Sequence, residues 1–230
     1  MSVAIVGGGI AGLTAARELA GQGRPGREVH LFESASSFGG HACTVDVEEN
    51  GRTFPIDVGF IVYNERNYPL LTRLFAELGV DTTESSMGFS VSDTRSGIEY
   101  SGDRYAALFA APGNALRTEF WSMLLGLRTF FRAGREALAE DRGETVAEFA
   151  DRVGLSEPFR RLFLRPMAGA IWSMPRRDID AFPASTLLRF FDQHGLLAAG
   201  GRPQWRTVRG GSRTYVEALR RALARSPVVL

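Results

Sequence analysis

Near the N-terminus the apolar run Ser2-Val-Ala-Ile-Val6 leads straight into Gly7-Gly-Gly-Ile-Ala-Gly12. A short apolar run closed by glycine reads as a buried strand. Residues 10–20 place Leu13, Ala16 and Leu19 on one side and read as a helix. A loop through Gly21, Gly23, Pro25 and Gly26 follows, and Val29 to Phe32 reads as a second buried strand. Strand, tight turn, helix, loop and strand make a βαβ unit, which demands a parallel sheet.

The glycines form a G-x-G-x-x-G, and the chemistry of that motif requires the setting it has here, after a strand and at the start of a helix. Gly7 permits the tight turn, Gly9 lets a pyrophosphate approach the backbone, and Gly12 lets helix and strand pack closely. The first turn of the helix, with Ile10 and Ala11, offers unpaired N–H groups and a partial positive charge to that pyrophosphate. Glu33 ends the second strand, 21 residues past Gly12. Its carboxylate accepts hydrogen bonds from ribose hydroxyls and repels a 2′-phosphate. A glycine-rich turn that binds nothing is the competing reading. Strand, helix, spacing and acid together favour a dinucleotide.

After Glu33 come Ser34-Ala-Ser-Ser-Phe-Gly39-Gly40-His41, then Asp57-Val-Gly-Phe-Ile-Val-Tyr-Asn64. On these segments the chain resembles the FAD-dependent amine oxidase and phytoene desaturase superfamily, with His41 standing where the family usually has Arg. Pro166-Met-Ala-Gly-Ala-Ile-Trp-Ser173 and Trp205-Arg-Thr-Val-Arg-Gly-Gly-Ser212 look similar to one subgroup, the predicted NAD/FAD-binding proteins encoded beside cyclopropane-fatty-acid synthases. The resemblance implies FAD as cofactor, held by Gly7, Gly9, Ile10, Ala11, Gly12, Glu33, Ser34, Gly39, Gly40, His41, Gly59 and Phe60. It implies an α/β fold: a glutathione-reductase-like, FAD/NAD(P)-binding Rossmann-like domain with a mainly helical substrate domain inserted. The expected division is 1–80 for the FAD-binding part, 81–205 for the substrate domain, and 206–230 for a return to the first domain. Relative to the family, the chain stops as a strand begins at Val228 and is expected to represent the N-terminal half.

Residues 43–57 read as a hairpin around Asn50-Gly51, a strong turn signal. Tyr68 to Leu78 reads as an amphipathic helix with Asn67 as cap and Gly79 as stop. From about 104 to 195 the pattern is helical. Thr145-Val-Ala-Glu148 is a capping box, and a helix opened by Ser156 and Pro158 is expected to break at Pro166.

His41, Tyr63 and Asn64 are the candidate catalytic side chains, against plainer roles as loop or turn residues. Asp57 reads as a structural anchor. The 27 basic and 26 acidic residues leave a net charge of +1, which gives no electrostatic case for nucleic acid. All the basic residues are Arg, which removes lysine chemistry. One Cys and three scattered His argue against a disulfide framework or a metal site.

The helices around 118–139 and 184–194 are rich in Phe and Leu, and Arg117, Arg128, Arg132 and Arg135 border the first. Helix–helix core is one reading. The other is a groove for an acyl chain, or a basic amphipathic face on anionic lipid. The expected function is hydride transfer between flavin and an apolar, fatty-acyl-like small molecule, in a cytoplasmic oxidoreductase with peripheral membrane contact. The alternatives are a non-catalytic flavin-binding fragment, an amine-oxidase-type flavoenzyme, and an NAD-dependent dehydrogenase.

Overall fold

A computed structural model describes residues 2–21, 28–102, 105–140, 142–197, 203–225 and 228–229. The chain forms two compact units, Met1–Ser86 with Gln204–Leu230, and Met87–Pro203. In chain order the first unit opens with β1 (Ser2–Val6), α1 (Ile10–Gly21), β2 (Glu28–Phe32), β3 (Thr44–Glu49), β4 (Arg52–Asp57), α2 (Pro69–Leu78) and β5 (Thr82–Ser85). The second unit holds the hairpin strands β6 (Ser90–Asp93) and β7 (Ile98–Ser101), then α3 (Tyr105–Leu108) and α4 (Thr118–Ala137). It continues with α5 (Val146–Arg152), α6 (Glu157–Phe159), α7 (Arg165–Trp172), α8 (Arg176–Asp180) and α9 (Ala184–Gln193). The chain then returns to the first unit with β8 (Trp205–Val208), α10 (Arg213–Leu223) and β9 (Val228–Val229).

The parallel sheet has the order β1-β2-β9, with Val6 opposite Phe32. α1 buries Leu13 and Ala16 completely, and α10 adds Tyr215, Val216 and Leu219 to the same core. Of the expected loop, Gly21 instead ends α1, and Gly23, Pro25 and Gly26 lie outside the described residues. β3 and β4 pair around Asn50 and Gly51, whose φ values of 52° and 71° are those of a two-residue hairpin turn. β5 pairs with β8, a ladder absent from the sequence reading. That ladder is why the units divide after Ser86 and before Gln204, where the sequence put 80/81 and 205/206.

The second unit is built on aromatic packing. Phe130 on α4 lies 6.3, 5.5 and 5.8 Å from the rings of Phe149, Phe159 and Phe191. Such edge-to-face and tilted ring pairs add to the transfer energy of the buried surface. Phe120, Leu187 and Leu188 are also buried there, so most of the Phe- and Leu-rich run fills a core and does not line a groove. Thr145 and Glu148 form the expected capping box at α5. Two local expectations fail. Tyr68, not Asn67, occupies the cap position of α2, because Pro69 starts the helix with its φ already set. Pro166 does not break its helix. A π-helical turn at Arg160–Leu164 precedes it, and this widened turn accommodates the missing N–H, so that α-helical geometry resumes at Arg165.

Candidate functional site

Parallel pairing brings the C-terminal ends of β1 and β2 together, and the residues that follow them meet there. The Gly7 N–H donates to the Phe32 carbonyl at 2.8 Å, which sets the glycine loop beside Glu33. The Gly8 N–H donates to Glu33 Oε2 at 2.7 Å, and the Ala35 N–H to Oε1 at 2.8 Å. Ser34 Oγ sits 3.5 Å from Oε1. The N–H groups of Ala35 and Gly8 hold the Glu33 carboxyl below its usual pKa, so it is ionised at neutral pH. A carboxylate has about four lone-pair directions, and with Ala35 and Ser34 on Oε1 and Gly8 on Oε2, Oε2 keeps one for an incoming hydroxyl.

The glycines have separate duties. Gly7 sits at φ +103°, which a side chain would resist. A Cβ on Gly12 would lie 1.9 Å from the Gly7 carbonyl oxygen, and one on Gly8 would lie 2.4 Å from the Phe38 ring. Gly8 is therefore constrained by a side chain where Gly12 is constrained by backbone, although it fills a variable position of the motif. Its signal in the sequence was Phe38, four residues past Ser34, and no local rule joins the two. Gly9 differs. A Cβ there would meet nothing of the protein nearer than the Gly39 oxygen at 3.8 Å and Gly40 Cα at 3.9 Å. Within 4 Å of that Cβ only these two backbone atoms lie. The first turn of α1 opens onto this loop, and Ile10, Ala11 and Gly12 present N–H groups with no intrahelical acceptor.

The second glycine pair is docked on the first. The Gly39 N–H donates to the Gly8 carbonyl at 2.9 Å, and Gly9 and Gly39 form a parallel bridge. The β3–β4 ladder extends past its strands: the Val58 N–H donates to the Cys43 carbonyl and the Phe60 N–H to the His41 carbonyl. A Cβ on Gly59 would lie 1.9 Å from the His41 oxygen, so this crossing also requires glycine. Gly7, Gly9, Ile10, Ala11, Gly12, Glu33, Ser34, Gly39 and Gly40 thus meet at one end of the sheet, and His41, Gly59 and Phe60 adjoin them. The set suits a dinucleotide: backbone donors at a helix terminus, room beside Gly9 that no side chain occupies within 4 Å of an added Cβ, and an ionised acceptor.

Of the candidate catalytic side chains, His41 alone is exposed. Tyr63 is buried, with its ring 5.2 Å from Phe75, and its backbone pairs with Arg206. Asn64 is fully buried. Its Oδ1 accepts the Asn67 N–H at 2.8 Å, while its Nδ2 has no acceptor among the described residues. These two side chains shape the turn into α2, and burial takes them out of reach of a substrate. Asp57 is an anchor, joined to Thr44 and Ser212 at the start of α10. Among the described residues no group of His, Cys, Asp and Glu is arranged to hold a metal ion. Among the same residues no helix is long and apolar enough to cross a membrane.

Comparison with known proteins agrees with this geometry. The sequence profile of the flavin containing amine oxidoreductases matches residues 10–230. The carotenoid phi-ring synthase of Chlorobaculum tepidum is 36% identical over 89 residues, which are 38% of this chain and 13% of that protein. Cyclohexylamine oxidase from Brevibacterium oxydans IH-35A shares the fold at TM-score 0.65 and 20% identity, over 100% of this chain and 50% of that one. A CLA-producing fatty acid isomerase from P. acnes does so at TM-score 0.59 and 20% identity, over 98% and 50%. The chain spans about half the length of these two solved structures.

Proposed function

The chain belongs to the flavin-containing amine oxidoreductase family, and from that premise we propose that it serves an FAD-dependent oxidoreductase that moves a hydride between flavin and an apolar substrate. One observation carries the cofactor assignment: a Cβ on Gly9 would meet only the Gly39 and Gly40 backbone, at 3.8 and 3.9 Å, beside a carboxylate fixed by the Gly8 N–H. In this reading the N–H groups of Ile10, Ala11 and Gly12 hold the diphosphate, and Glu33 holds the adenosine ribose. Gly39 and Gly40 let the chain pass close to the dinucleotide, and His41 is the exposed polar side chain next to it. Bound FAD supplies the ring that accepts or donates the hydride. The first unit is read as a glutathione-reductase-like FAD domain and the second as the mainly helical domain that contributes substrate contacts.

An apolar, fatty-acyl or comparable substrate is supported by the likeness to a carotenoid ring synthase and by the fatty acid isomerase that shares the fold. Amine oxidation is the second reading, favoured by the family's description and by cyclohexylamine oxidase. In either case the protein is read as cytoplasmic.

The test has two stages. Purified protein is denatured and the released nucleotide identified by mass; FAD is expected, and NAD would replace this reading with a nicotinamide dehydrogenase. Loaded protein is then mixed anaerobically with unsaturated fatty acids, with carotenoids, and with cyclohexylamine. Bleaching of the flavin by the amine alone would overturn the apolar assignment and leave FAD standing.

A further inference from the structure

The second unit carries an apolar and basic surface that no part of the dinucleotide reading uses. Along α4 the buried positions are Phe120, Met123, Phe130, Ala133 and Gly134. The exposed positions Trp121, Leu125, Arg128, Arg132 and Arg135 recur at steps of four and three, so they share the opposite face. Trp121 is 46% and Leu125 71% exposed, and Leu116, just before the helix, is 90% exposed. Phe109, also exposed, lies 6.0 Å from the Trp121 ring. The indole N–H donates to the Ala115 carbonyl at 2.9 Å, so the ring is held in place with its one polar group satisfied. Trp121 and Leu125 border an open groove of about 430 Å³ that reaches Gly154 and Ser156.

Arg128, Arg132 and Arg135 form no ion pair among the described residues, unlike Arg152, Arg160 and Arg165 elsewhere in this unit. Glu136 is exposed beside them, and Glu119 is committed to Arg161. Three guanidinium groups therefore stand against one carboxylate.

We propose that this face of α4, with Phe109 and Leu116, docks the protein on an anionic phospholipid bilayer. An amphipathic helix binds such a surface by placing apolar and aromatic side chains at the headgroup boundary and cations over lipid phosphates. Arg suits the second role because its long stem covers apolar surface while the charged end stays in water. A two-fold pairing of this face with a second copy would set three unpaired arginines against three, which disfavours dimerisation as its purpose. The proposal stands on the second unit alone and is independent of the flavin reading.

Co-sedimentation with vesicles tests it. The unmodified protein is expected to pellet with vesicles of phosphatidylglycerol and phosphatidylcholine in equal parts, and to stay in solution with phosphatidylcholine alone. Each arginine near an anionic surface is worth about five-fold in partitioning, so Arg128→Ala, Arg132→Ala and Arg135→Ala together should weaken it about a hundred-fold. Leu125→Asp should weaken binding with all three arginines in place, and far-UV circular dichroism should show both variants folded. As the control for net charge, Arg73→Ala, Arg177→Ala and Arg221→Ala remove exposed arginines that already have acidic neighbours, and binding should be unchanged. Failure of the unmodified protein to pellet with the anionic vesicles overturns the proposal. So does an equal loss in the control. So does a dimer that Leu125→Asp dissociates while vesicle binding persists.

Discussion

The Asp57 carboxylate accepts both the backbone N–H and the hydroxyl of Ser212, a residue 155 positions later, through Oδ1 at 2.8 Å in each case. Thr44 Oγ1 donates to the same oxygen at 2.6 Å and accepts the Arg213 N–H at 2.9 Å. The start of α10 is thereby fixed to the β3–β4 hairpin. Fixing α10 fixes Val216, whose side chain would stand 3.3 Å from a Cβ on Gly39. One carboxylate thus sets the helix that backs the second glycine pair.

Asp57→Ala leaves three donors in a partly buried place without their acceptor. A loss of about 1.5–3 kcal/mol in urea denaturation is expected, with Asp57→Asn less affected because it keeps one acceptor oxygen. A change in Asp57→Ala no larger than that of an ordinary surface substitution would show that α10 is held by its apolar contacts alone.

Glu33→Ala is expected to weaken dinucleotide binding by about ten- to a hundred-fold, with Glu33→Gln between it and the unmodified protein. Because the folded-state pKa of Glu33 is lowered, its charged form is fully present above the ordinary glutamate value of about 4.3 and is lost as pH falls through the lower folded value. FAD retention, followed by the fluorescence of released flavin, should hold on mild acidification and fall below that value. In Glu33→Ala this acid limb should be missing; its persistence there would assign the limb to another group.

Gly9 and Gly12 should fail in different ways. The Cβ of Gly9→Ala has room in the protein and intrudes on the dinucleotide, so thermal stability should be unchanged while affinity falls about ten-fold or more. The Cβ of Gly12→Ala collides with the Gly7 carbonyl, so its melting temperature should fall as well. Equal binding by Gly9→Ala and the unmodified protein would contradict the placement of the diphosphate.

In the second unit Arg161 is buried between Asp93 and Glu119. Arg161→Met removes the partner of a largely buried carboxylate and should cost about 3–5 kcal/mol. Burial raises the Asp93 pKa, but the hydrogen bonds from Ser96 and Arg161 outweigh it and hold the group below its usual range. Its contribution is therefore complete above the ordinary aspartate value of about 3.9 and disappears as pH falls through the lower folded value. Urea midpoints measured at neutral pH and near pH 3 should differ more for the unmodified protein than for Asp93→Asn; equal differences would remove Asp93 from the acid response.

The hairpin turn at Asn50-Gly51 and the capping box at Thr145 were legible in the sequence because each depends on residues within a few positions of one another, and the βαβ unit because its strand, helix and strand follow in one unbroken stretch. That Gly7 to Gly12 and Glu33, the proposed dinucleotide contacts, meet was legible too, since they are linked by a single strand–helix–strand passage. Long-range packing decided the rest. Periodicity places Phe130 and Leu125 on one apolar helix but cannot say which meets another element; the fold buries Phe130 among three rings and leaves Leu125 in solvent. Tyr63 and Asn64 follow the segment that the family resemblance implies is near the flavin, yet the pairing of Tyr63 with Arg206 turns them into the core. The hydrogen bonds of Asp57 to Ser212, the contact of Gly8 with Phe38 and the β5–β8 ladder join residues far apart in the chain, and local spacing carries no record of partners that only chain topology brings together.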